Sequence, residues 1–437
     1  MIELKEYFLD ELYEMGSGIS TKPEQAGHGA PFVSFSSIYN NAILPEELPD
    51  LMDTSIEEQE KYSVKKGDIF LTRTSETLDE LAMSSVAVKD YPNATFSGFA
   101  KRLRPIQKNI TYAKFMAFFM RSNYFRKIIN CKAVMTLRAS FNEEIFSYIK
   151  IELPSYEHQV KCGDLFYAIE QKIRNNNKIN AELETMAKTI YNYWFLQFEF
   201  PNEEGKPYKS SGGKMVWNEE LKREIPEGWE VGRLNNIING EKGGDWGKES
   251  REGNYSEKVM CIRGADFPSM KVSSKLQTPV RYILSKNKNK ILEKGDLIIE
   301  ISGGSPTQST GRICYINENL LKRFDTPVIT SNFCKAITLQ KKEYQYWFYL
   351  LWKMLYDNGV FFKYEGKTTG IKNLLFDILC RDYQIIMPKD EVLIMFNNEI
   401  EILFETIQKN LLENQELVSI RDFLLPLLMN AQITFGK

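Results

Sequence analysis

Between about Gln159 and Phe198, and again beyond Pro388, apolar residues return at alternating steps of three and four with few helix breakers between them. That spacing describes a narrow seam of the coiled-coil kind rather than the broad face of a helix lying on a sheet. A gap-free shift of 234 positions superposes the two segments, pairing Ile169 with Leu403, Ile173 with Ile407 and Leu183 with Leu417. The same shift pairs Ile190 with Leu424 and Trp194 with Leu428. Two long helices are predicted. Inside their seams Asn176 and Asn180 match Asn410 and Asn414. A polar residue in a seam lowers stability unless a partner satisfies it, so the four asparagines read as register markers. The alternative is a seam shifted by one position, with the asparagines at its edge.

The regions before the helices also repeat. "VKKGDIFLTRTS" from Val64 resembles "LEKGDLIIEISG" from Leu292, each a Lys-Gly-Asp turn leading into an apolar run, and Gly67 and Gly295 lie 228 apart. Pro154 and Pro388, which precede the two helices, lie 234 apart. Each variable part mixes short β-rich runs ("VMCIRG", "DLIIEISG", "RICYI") with Gly and Ser turns and some helix ("YQYWFYLLWKML"), an α+β composition. The chain therefore reads as a variable domain over 1–150, a helix over 151–200, a linker over 201–228, a second variable domain over 229–384 and a second helix over 385–437. Two similar half-chains in tandem imply pseudo-two-fold symmetry, with the helices in an antiparallel coiled coil and their midpoints together. Asn176 is then expected close to the Asn410–Asn414 stretch. The linker "YKSSGGKMVW" is expected to brace its junction through Tyr208 and Trp217.

Composition narrows the class. With 43% hydrophobic and 26% charged residues over 437 positions, the chain is long enough for two or three globular domains. No apolar run approaches a membrane span, and "MIELKEYFLDEL" lacks the basic start and apolar core of a signal peptide; a cytoplasmic address and no membrane partner are expected. Six scattered cysteines and two histidines offer no zinc spacing, so free thiols and no metal site are expected. Tests for catalysis fail one by one. "EGKTTG" lacks the first glycine of a phosphate loop, since Phe361 stands there, and "GGDWGKES" has Glu249 where a hydroxyl belongs. There is no dinucleotide fingerprint, no nucleophile elbow and no Asn/Asp-Pro-Pro-aromatic box. "PDLMDTSIEEQEK" starts like a metal-dependent nuclease core but has Gln59 at an acidic position. No catalytic residue and no cofactor is expected on this chain.

Hydroxyl-rich and basic loops remain. "SGGSPTQSTGR" offers Gln308, Ser309, Thr310 and Arg312, and "KYEGKTTGIKN" offers Lys367, Thr368, Thr369 and Lys372. The first half places Arg73 ("TRTSETLDELAMSS") and Arg138 ("TLRASFN") at matching points, Arg138 pairing with Lys372 by the shift of 234. Lys and Arg can hold a phosphate backbone, while Gln, Asn and Arg can read base edges. Lys101, Arg102 and Arg104 in "KRLRPIQK" are either a local basic patch or a solvated strand end; net charge is −2, so any nucleic-acid surface must be local. Singly, each loop is equally well ordinary surface; recurrence in both halves strengthens the joint reading.

The stretch "WFLQFEFPNEEGKPYKSSGGKMVWNEELKREIPEGWEVGRL", Trp194 to Leu234, resembles the central conserved region of specificity subunits of type I restriction-modification systems. "ENQELVSIRDFLLPLLMNAQI", from Glu413, resembles their distal conserved region. The resemblance implies two target recognition domains, each reading half of a split sequence in double-stranded DNA, spaced by two helices that recruit two modification subunits. Those subunits would carry S-adenosylmethionine and methylate adenine, and motor-nuclease restriction subunits would join them, with ATP and Mg also on the partners. No contact residue carries over by motif, because recognition domains are the family's variable part. The first domain lacks an "IPEGW" opening like that of the second. Two other readings remain: a self-contained DNA-modifying enzyme, or a protein-binding coiled-coil scaffold.

Overall fold

The computed structural model describes residues 3–75, 81–132, 139–272, 276–303, 305, 307–368, 371–429 and 432–433. They form two compact units, one of residues 1–172 with 419–437 and one of residues 173–418. In the first, four antiparallel strands lie in the order Tyr13–Ser17, Ala100–Pro105, Ile69–Thr72, Ser84–Val86. Every residue of "IFLT" is buried, because both faces of this inner strand are covered, and so its apolar run does not alternate. A three-stranded sheet runs Asp50–Met52, Ala26–Val33, Thr95–Phe96, its last pair parallel. Lys5–Phe8 pairs with Lys150–Leu153 and brings the start of the domain to its end.

The second unit repeats this plan. Its four-stranded sheet runs Ile238–Gly243, Cys334–Leu339, Leu297–Glu300, Ile313–Tyr315. Its three-stranded sheet runs Val280–Leu284, Tyr255–Ile262, Val328–Thr330, again with one parallel pair. Glu230–Arg233 pairs with Gln384–Met387 as the terminal strands do in the first. The Lys-Gly-Asp repeat is the same device twice: Gly67 (φ +94°) and Gly295 (φ +104°) take the left-handed backbone that glycine tolerates. The aspartate that follows is buried in both, accepting from the backbone N–H of Lys65 at 2.7 Å in one and of Glu293 at 2.8 Å in the other.

Two long helices, Tyr156–Tyr191 and Asp390–Met429, complete the α+β fold, and each runs through both units. Within the second unit they are antiparallel. Asn176 donates to Asn414 at 2.9 Å, and Asn410 donates to Asn180 at 2.8 Å, so the second helix retreats by four as the first advances by four. Eighteen residues further, Trp194 meets Phe396 with ring centroids 5.5 Å apart, in the same register. This is the coiled-coil pairing that the asparagines suggested.

The seam itself differs in part. Ile169, Ile173, Asn176, Asn180 and Trp194 are buried as expected, but Ala187 and Tyr191 carry the seam between Asn180 and Trp194, with Leu183 and Ile190 only half-buried. On the second helix Ile407, Asn414 and Leu428 are buried, whereas Leu403, Asn410, Leu417 and Leu424 are half-buried and the core positions include Phe404 and Leu411. A gap-free superposition presumes one heptad phase for both helices. The second helix instead turns Phe404 into an aromatic cluster, with ring centroids 4.8 Å from Tyr315 and 5.1 Å from Tyr346. The linker also departs from expectation. Tyr208 does brace it, stacked on Phe200 at 4.5 Å and donating its hydroxyl to the Lys214 carbonyl. Trp217 is 58% exposed, and the inward tryptophan is Trp229, 5.0 Å from Phe200. Among the described residues no helix is long and apolar enough to cross a membrane.

Candidate nucleic-acid interface

In the second unit a small ribbon gathers the candidate loops. Ser302–Gly303 pairs with Ile371–Leu374, which pairs with Glu365–Thr368. Glu365 is its hub, accepting from the Ser309 hydroxyl at 2.9 Å, the Thr310 N–H at 2.8 Å and Lys372 Nζ at 3.0 Å. Burial pushes the Glu365 carboxyl up, but the Thr310 N–H, Lys372 and Ser309 outweigh it and hold it below the ordinary value. Arg312 makes a two-pronged pair with Glu300 at 2.9 and 2.6 Å in a largely buried setting, which raises its own pKa. The helix Gln345–Asp357 pins the loop from behind, Trp352 donating to the Gly311 carbonyl and Tyr356 to that of Ser309.

Ser309, Thr310, Arg312 and Lys372 are therefore occupied by two inward acids, Glu300 and Glu365, which fix the shape of the loop. Buried carboxylates left without these donors would be strongly disfavoured. Gln308 is different: its side chain is exposed and has no partner among the described residues. Arg138 and Thr369 lie outside the described residues, as do the side chains of Lys367 and Thr368.

The first unit sorts its cations the same way. Arg104 grips the buried Asp68 at 2.8 and 2.6 Å, Arg102 donates to the Ser63 carbonyl at 2.8 Å, and Lys101 donates to the Ser17 hydroxyl at 2.9 Å. "KRLRPIQK" thus begins as an inner strand whose cations turn inward, only Arg104 of the three meeting an acid there. The second unit satisfies the matching Asp296 with Lys242 from another strand, at 2.8 Å. Arg73 stands apart. It is exposed, its backbone bonds Phe99 on one side and Phe141 on the other, and its charge adds to burial in lowering the pKa of Lys101. Two like charges held together favour an anion nearby.

Sequence reasoning missed Glu300 and Glu365, although an acid inside an apolar run such as "LIIEI" signals a buried partner. It also missed Asn177 and Glu413, which join the asparagine cluster at 2.9 and 2.8 Å. Among the described residues no group of three or more His, Cys, Asp or Glu side chains is placed to hold a metal ion.

The chain carries one sheet plan twice, each copy with a small loop ribbon, and two long helices run through both units. The model of the type I restriction modification DNA specificity domain matches it over residues 1–185 and 226–421. The chain belongs to the type I restriction-modification DNA specificity family. It is 26% identical to the MjaIX type I restriction enzyme specificity subunit of Methanocaldococcus jannaschii, over 97% of this chain and 90% of that protein. It is 21% identical to the HindI specificity subunit of Haemophilus influenzae, over 99% and 100%. It shares the fold of the crystal structure of a type I S subunit from M. genitalium, with a TM-score of 0.62 and 14% identity over 100% of this chain and 97% of that one.

Proposed function

We propose that this chain is the non-catalytic, sequence-reading subunit of a cytoplasmic type I restriction-modification complex. Residues 1–150 and 229–384 act as two target recognition domains, each reading one half of a split site in double-stranded DNA. The two long helices space them and recruit two adenine-methyltransferase subunits, to which motor-nuclease subunits join. S-adenosylmethionine, ATP and Mg belong to those partners. The observation that carries this reading is the duplicated sheet topology, which suits two independent readers on one frame. Arg73 and Gln308, exposed and unpaired among the described residues, are its strongest individual contacts; the inward residues hold the loops in shape for them.

The test is duplex binding by the chain assembled with its methyltransferase partners, measured against salt. Specific binding that weakens steeply with salt is expected, because cations that neutralise phosphates release counterions. The isolated chain should bind no S-adenosylmethionine at equilibrium. Binding of that cofactor by the chain alone would favour a self-contained enzyme, and absence of duplex affinity in the assembly would favour a protein-binding scaffold.

A further inference from the structure

Two phenylalanines sit at the same turn in the two halves and point to solvent. The turn is "SGFAK" in one and "SNFCK" in the other, and Phe99 and Phe333, separated by the repeat distance of 234, are 69% and 55% exposed. Each turn closes by the same bond, Ala100 N–H to the Ser97 carbonyl and Cys334 N–H to the Ser331 carbonyl, both 2.9 Å. Each is also buttressed by a glycine just past the end of an edge strand, Tyr13–Ser17 in one half and Ile238–Gly243 in the other. A Cβ on Gly18 would stand 2.1 Å from the Ser97 carbonyl oxygen, and one on Gly244 would stand 1.9 Å from that of Ser331. The backbones approach so closely that only glycine fits. Ile19 N–H to the Phe96 carbonyl and Asp245 N–H to the Thr330 carbonyl tie the same strands together at 2.9 and 2.8 Å.

A rigid turn that twice holds out a phenyl ring is not explained by folding, since both residues keep more than half of their surface exposed. Its surroundings say what it faces. The Phe99 carbonyl accepts from Arg73 N–H at 2.9 Å, and the Phe333 carbonyl accepts from Ile301 N–H at 2.9 Å. Both bonds lie at the root of the ribbon formed by Thr74–Ser75 with Ala139–Ser140 in one half and Ser302–Gly303 with Ile371–Leu374 in the other. The first ring thus adjoins the exposed Arg73. In the first half an apolar ring beside the exposed Arg73 suits nucleic acid better than an apolar protein groove, because the charge holds a phosphate while the ring meets base faces. The second ring is assigned the same partner by its equivalent place in the repeat, although Lys335 two residues along is paired with Glu241.

We propose that Phe99 and Phe333 are paired aromatic wedges, one per half-site, each packing against a base step of the duplex and partly unstacking it. Their role rests on the reading of the two domains as DNA readers and extends it from hydrogen bonding to deformation of the target. A wedge discriminates by how easily a step opens, so it contributes specificity without touching a base edge.

The experiment uses the full chain assembled with its methyltransferase partners and duplexes carrying 2-aminopurine at successive positions of the methylated site. Wild type should raise the fluorescence at one step in each half-site. Phe99→Ala should abolish the rise in one half only and Phe333→Ala in the other, each weakening binding about tenfold or more with an unchanged salt slope. Phe99→Trp should keep both affinity and the fluorescence rise, with its own indole emission quenched on binding. Wild-type binding with unaltered behaviour in both alanine variants would overturn the wedge alone. Loss of methyltransferase assembly with intact DNA affinity would overturn it in favour of a protein contact. A wild-type assembly that binds no duplex would overturn the wedge and the specificity reading together.

Discussion

The side-chain amide of Asn176 donates to Asn414 across 2.9 Å at the centre of the paired helices, and Asn414 in turn donates to Asn177 at 2.9 Å. Asn414 is completely buried. Amides in such a place favour the one register in which they meet, since any slip would set them against leucine and isoleucine. Asn414→Ala removes a buried partner from two amides at once and should destabilise the chain by about 1–3 kcal/mol. Urea unfolding would measure it. Replacing all four of Asn176, Asn180, Asn410 and Asn414 with Leu should instead raise the unfolding midpoint while broadening the register. Disulfide trapping between cysteines introduced at slipped positions would detect that loss. The Asn180 Nδ2, buried without a hydrogen-bond partner among the described residues, is one reason the apolar replacement gains.

Arg312 and Arg73 should separate structure from contact. Arg312→Ala strands the buried Glu300 carboxylate, and breaking such a pair costs about 3–5 kcal/mol. A lowered thermal midpoint is expected. Arg73→Ala, at an exposed position, should stay within about 0.5 kcal/mol of wild-type stability yet flatten the salt dependence of DNA binding by about one unit. Unchanged salt dependence in that variant would remove Arg73 from the interface.

The Glu365 hub should be sensitive to acid. Its folded carboxyl is held below the ordinary 4.5, so the stabilisation is fully present above that pH and disappears as pH falls through the lower folded value. Glu365→Gln should therefore be less stable than wild type at neutral pH by an amount that does not change with pH above about 4.5. The gap should close in acid, as read from melting temperatures across a pH series.

Much of this architecture was legible because it repeats. A Lys-Gly-Asp turn recurring after 228 residues and a proline recurring after 234 are local signals, and the sheets follow them. The interface was less legible. Cationic residues look alike in sequence whether they face solvent or a buried acid, and only strand pairing decides which acid each of Arg104, Arg312 and Lys372 meets. Helix phase departs at Leu183, Ile190 and Leu403 for a related reason. Phe404 answers to Tyr315 and Tyr346 of the domain as much as to its partner helix.

The central claim is that two separable readers share one frame, and mapping methylated adenines in cells tests it most directly. Cells carrying this chain and its methyltransferase partners should show one split motif. Exchange of residues 229–384 for the corresponding segment of a relative should change one half of that motif and leave the other half intact. A change in both halves, or methylation with no split motif at all, would contradict the account.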